Sequence, residues 1–118
     1  MIRIFSLLIL LSTLKCYSQV YTASYYAYNT QRITASGEKF HNEGMTAAHR
    51  TLPFGTKLKV CSITNNKCVE VKVTDRGPFP TSKDFGKYER VLDLAKGAFK
   101  QIANTRDGIC KVTYEIIK

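Results

Sequence analysis

The stretch Val71-Lys72-Val73-Thr74-Asp75-Arg76-Gly77-Pro78-Phe79 (VKVTDRGPF) decides how this chain is read. Apolar and charged residues alternate through its first half, as in a half-buried strand, and Gly77-Pro78 ends the pattern. Side chains of a strand alternate with period two, so Asp75 is expected on the face of Val69, Val71 and Val73. An ionised carboxylate on an apolar face is costly unless something compensates. Two readings are open. Asp75 is either a partly desolvated carboxyl with chemical work to do, or a turn aspartate that hydrogen-bonds the backbone ahead of Gly77-Pro78.

Working outward, Thr56 to Ile63 and Cys68 to Thr74 read as two strands of a hairpin around Thr64-Asn65-Asn66-Lys67. Leu58 and Val60 share the inner face with Val69, Val71 and Val73, which turns Cys61 and Cys68 outward. With a two-residue turn at Asn65-Asn66 the cysteines are diagonal, about 7–8 Å apart, too far for an unstrained bridge. A register slipped by two residues sets them opposite each other. Bridge and register are one question, and a Cys61–Cys68 disulfide is the expectation, leaving Cys110 free or buried. Val20 to Ala27 is rich in strand formers. Leu94 to Ala103 reads as a helix, with Leu94, Ala98 and Ile102 recurring every four residues and Asp93 as its N-cap. Ile109 to Ile117 alternates as a closing strand. Short strands with one helix suggest a small, mainly β barrel.

The chain has 118 residues, room for one domain. Its start is a separate object. Residues 1–18 pair a basic n-region with an apolar run, Phe5 to Leu14, too short to span a bilayer, which needs ~20 apolar residues. This predicts a signal peptide cut after Ser18, and a mature domain of residues 19–118 that is exported to the periplasm or cell envelope. Lys15 directly before Cys16 fits a lipoprotein signal poorly, so no lipid anchor is expected at Cys16. Without Arg3 and Lys15, 16 basic residues face 9 acidic ones. A basic exported domain suits an anionic polymer or a membrane surface. Nucleic acid is not expected, because no basic-aromatic motif or basic helical stripe occurs. No CxxC or HxxxH spacing suggests a metal, and no cofactor is expected.

Five segments now stand in order: ASYYA (residues 23–27), TASGEKF (34–40), MTAAHRTLPFGTKLKV (45–60), VTDRGPF (73–79) and RVLDLA (90–95). Together they resemble the rare lipoprotein A (RlpA) family, over nearly the whole mature chain. The resemblance implies a six-stranded double-psi β-barrel with one or two short helices, related to expansins. It implies a peptidoglycan-directed, endolytic lytic transglycosylase, which cleaves between N-acetylmuramic acid and N-acetylglucosamine and leaves a 1,6-anhydro end. A non-catalytic, expansin-like polysaccharide-binding or wall-loosening module is the alternative. Partners would be glycan strands, with peripheral envelope association and a monomeric domain. Longer members carry a C-terminal SPOR domain that this chain is not expected to contain. The segment from Phe79 to Arg90 is longer than usual, and Ala95 stands where the family often has serine.

Glycoside cleavage needs an acid for the leaving oxygen, and a transglycosylase replaces water with the sugar's own 6-hydroxyl. One carboxyl with a raised pKa can give a proton and then take one. Asp75 is the first candidate, since its expected parity would desolvate it. Asp93 is the second: the resemblance implies a functional aspartate there, beside the N-cap reading. Glu38 is placed across the groove, to orient sugar or water, or else on the solvated surface. His49 hydrogen-bonds a carboxylate or substrate, or else backbone. Among Tyr25, Tyr26 and Arg76, candidate substrate contacts, the two tyrosines face opposite sides, and Tyr26 is favoured for the groove. His41 belongs to no motif and reads as surface.

Overall fold

The computed structural model describes residues 19–77 and 90–117. The leader and most of the long segment after Phe79 lie outside those residues. Six strands close into a barrel: β1 (Tyr21–Tyr26), β2 (Thr46–Ala48), β3 (Lys57–Ser62), β4 (Cys68–Asp75), β5 (Arg90–Ala95) and β6 (Ile109–Ile117). Their order around the barrel is β1-β5-β2-β4-β3-β6. The β1/β5 and β2/β4 pairs are parallel and the other four antiparallel. This is the mainly β, six-stranded barrel that the resemblance implies.

The hairpin follows its sequence parity. Leu58, Val60, Val69, Val71 and Val73 are buried inside, and Lys59 and Glu70 point out. Cys61 pairs directly with Cys68, and the two form a disulfide seven residues apart in sequence. The connection therefore runs through Ser62 to Lys67, with Ser62 N–H on Lys67 O, rather than through a two-residue turn. Closing so short a loop still removes chain entropy from the unfolded state. The double variant Cys61→Ser/Cys68→Ser is expected to lose about 2 kcal/mol in urea unfolding; a loss indistinguishable from zero would mean that strand pairing alone holds the register. Cys110 is the free cysteine among the described residues, and it is buried.

The helix begins later than its periodicity suggests. Residues 90–95 form β5, and the helix α1 is only Lys96–Lys100. A short continuous apolar run is compatible with either state. Here tertiary pairing decides, because β5 is hydrogen-bonded on both sides, by β1 and by β2. Asp93 is therefore a strand residue, and Ala95 occupies the helix N-cap with no side-chain cap bond. Ala98, Phe99 and Ile102 still close one end of the core. Gly97 makes this docking possible. Its N–H donates to Asn42 O at 2.7 Å, and a Cβ added there would lie 2.5 Å from Glu43 Cα. Gly97→Ala is expected to cost about 2–3 kcal/mol, as overpacking against backbone does; an unchanged urea midpoint would contradict it.

Candidate active site

Two bulges set the site. Ala47 pairs with Val73 but Ala48 pairs with Asp75, so Thr74 is an extra residue in β4. Thr22 pairs with Arg90 but Ala23 with Leu92, so Val91 is extra in β5. A bulge interrupts the period-two alternation and re-aims the residues beyond it. Asp75 thus does not continue the face of Val71 and Val73. It pairs with Ala48, whose other partner is Asp93, whose other partner is Ser24. Ser24, Asp93, Ala48 and Asp75 form one row across four neighbouring strands, on the face opposite the barrel interior. Two strand spacings put the two aspartate backbones about 10 Å apart. Ala48, between them in the row, is buried.

The two aspartates of the row line a cleft of about 550 Å³, together with Tyr26, Tyr28, Phe40, Arg32, Ile33 and Arg90. The Tyr26 ring stacks on Phe40 at 4.5 Å, and Tyr28 meets both edge-on. Asp93 is 5% exposed. Its Oδ1 accepts from Ser24 Oγ at 2.9 Å, its Oδ2 lies 3.4 Å from Arg90 Nη2, and Arg90 Nε donates to Ser24 Oγ at 2.8 Å. Burial pushes the Asp93 carboxyl above its ordinary value, against the opposing pull of Ser24 and Arg90 and with a small further push from Asp75. Asp75 is half-buried. Its Oδ1 accepts from Ala35 N and Arg76 N, at 3.1 and 3.0 Å, and its Oδ2 from Tyr26 Oη at 3.3 Å. Burial, then the charges of Asp75 and Asp93, push the Tyr26 phenol up, so it remains a proton donor.

Parity predicts a desolvated Asp75; the bulge at Thr74 re-aims Asp75, and the buried carboxyl of the row is Asp93. Three other candidates stand apart from the cleft. Glu38 is exposed and pairs with Lys72 at 2.7 Å, which lowers its pKa and keeps it an acceptor on the surface. His49 is buried and bonded to backbone: Nδ1 accepts from Thr51 N and Leu52 N, both at 3.1 Å. That fixes the Nε2–H tautomer, which lies 3.3 Å from Tyr114 Oη. Burial, then Arg76, lower its pKa, so it organises the loop after β2 as a neutral ring. Arg76 holds the same loop through His49 O and Leu52 O, at 3.0 and 2.8 Å, and stacks on Phe54. Tyr25 touches the cleft but is anchored elsewhere, against Phe99 and on Thr105 O.

Ser24 and Arg90 escape sequence reasoning. Three residues apart in a regular strand, Arg90 and Asp93 face opposite sides, and only the bulge at Val91 brings them together. Ser24 carried a usable signal: it has the same parity as Tyr26.

The fold and site can be set beside known proteins. A probable endolytic peptidoglycan transglycosylase RlpA from Synechocystis is 42% identical over 87 residues, covering 74% of this chain and 25% of that protein. The endolytic peptidoglycan transglycosylase RlpA of Campylobacter jejuni is 43% identical over 84 residues, covering 71% of this chain and 28% of that one. The chain thus spans about a quarter of the length of these relatives. Among solved structures, the Streptomyces papain inhibitor superposes with a TM-score of 0.63 at 18% identity, covering 86% of this chain and 96% of the inhibitor. A Clavibacter michiganensis expansin superposes with a TM-score of 0.57 at 20% identity, over 86% of this chain and 51% of the expansin. At such identities these two likenesses concern the barrel alone. The lytic transglycolase model of the double-psi β-barrel matches residues 18–114, which take in five whole strands, most of β6 and both aspartates, and the chain belongs to that family.

Proposed function

We propose that this chain is an exported peptidoglycan lytic transglycosylase whose acid is Asp93. The observation that carries the reading is the row of two carboxyls under an aromatic-walled cleft, one of them buried with a raised pKa. The names of the relatives at about 40% identity support the substrate. A protonated Asp93 gives its proton to the oxygen leaving from the N-acetylmuramic acid anomeric carbon. Positive charge develops on the ring as that bond breaks. Asp75, which lines the same cleft, stabilises this charge. Asp93, now a carboxylate, takes the proton of the 6-hydroxyl as that oxygen closes on the anomeric carbon, forming the 1,6-anhydro end. Water is not consumed. Ser24 and Arg90 hold the Asp93 carboxyl, and Tyr26 holds Asp75 and offers a ring face to the sugar. The periplasm or cell envelope is where such a substrate lies.

The test is a digest of purified sacculi, intact and amidase-treated, read by mass spectrometry. Anhydromuramic products are expected. Products heavier by one water would assign a hydrolase. No soluble product, with the protein retained on the sacculi, would leave a wall-binding module.

A further inference from the structure

A second cleft, of about 380 Å³, adjoins the first, and Tyr28 and Phe40 line both. Its remaining wall includes Thr30, Gln31, His41 and Asn42. We infer that this second cleft is a further sugar subsite, taking the units of the glycan strand that run on beyond the scissile bond; this rests on the reading proposed above.

Three features carry it. The clefts share two aromatic side chains, Tyr28 and Phe40, so they are neighbours on the surface. The lining has the chemistry of sugar recognition, with aromatic side chains beside hydroxyl, amide and imidazole groups and the Glu43 carboxylate. The side chains of Thr30, Gln31 and His41 are exposed and make no hydrogen bond among the described residues, so their donors and acceptors are available.

The floor is also fixed beforehand. Tyr28 N–H donates to Asn42 Oδ1 at 2.9 Å, and Asn42 Nδ2 donates to Tyr28 O at 2.8 Å. The next residue, Glu43, reaches Lys100 on α1 at 3.6 Å. A site tied to rigid elements loses little freedom when it binds.

The experiment compares tetrasaccharide and octasaccharide glycan fragments, freed of peptide, with wild type and with the surface variant Gln31→Ala/His41→Ala. Wild type is expected to show a higher kcat/KM on the octasaccharide. The variant is expected to lose about tenfold of that advantage, the effect of one or two polar contacts, with an unchanged unfolding midpoint. A variant that keeps the full advantage, or a wild type without one, overturns the subsite. If wild type cleaves neither fragment, the transglycosylase reading fails by itself. The dissociation constants of the same two fragments then decide the subsite: tighter binding of the longer one, lost in the variant, supports it, and any other pattern overturns it.

Discussion

Asp93→Asn is expected to lower turnover of glycan strands by on the order of 10³-fold, the scale of a lost general acid, in a barrel that still folds. Asparagine keeps the shape and the acceptor for Ser24 but has no proton to give. The pH profile identifies the cause. The acid must be protonated to act, so wild-type activity falls as pH rises through the Asp93 pKa, which burial has raised. Arg90 and Ser24 both pull that pKa down. Removing either lets it climb, so Arg90→Gln and Ser24→Ala should move the alkaline limb to higher pH. Arg90→Lys retains the charge and should move it less. An Asp93→Asn protein that is folded and near wild-type rate would remove Asp93 from the chemistry. A limb that ignores Arg90→Gln would assign the ionisation to another group.

How far the sequence announces this site depends on where the backbone is regular. Hairpin parity, the closing strand Ile109–Ile117 and the strand character of residues 20–27 depend on alternation, which a sequence displays directly. The helix start does not, because Leu94 suits a buried strand and a helix equally, and only pairing with β1 and β2 decides. The site is harder still. Both of its carboxyls are legible as candidates, but their environments are not. Asp75 was assigned the apolar face, and Asp93 the helix cap. A bulge adds one residue, has no sequence signal here beyond an otherwise ordinary Thr74 or Val91, and re-aims every side chain that follows. Glu38 and His49 each stand in a family motif, and here their side chains are held by Lys72 and by the backbone of Thr51 and Leu52, outside the lining of the cleft.

Asp75→Asn is the second variant with a large expected effect, a fall of on the order of 10²-fold in kcat, as for the loss of one preorganised charge-stabilising group. The substitution keeps an oxygen for Ala35 N and Arg76 N, so the loop carrying Arg32 and Ile33 stays anchored and KM should change little. Asp75→Ala removes that anchor as well, and should raise KM in addition to lowering kcat. The two variants separate charge from positioning. The remaining activity of Asp75→Asn carries a further signature. The Asp75 charge raises the Asp93 pKa, so its removal lowers that pKa and shifts the alkaline limb to lower pH, opposite in sign to Arg90→Gln. Opposite shifts from two substitutions on either side of Asp93 require both groups to act on the same titrating carboxyl. A folded Asp75→Asn protein with wild-type kcat would instead leave Asp75 as the loop anchor alone, holding Ala35 and Tyr26 beside a site in which Asp93 works by itself.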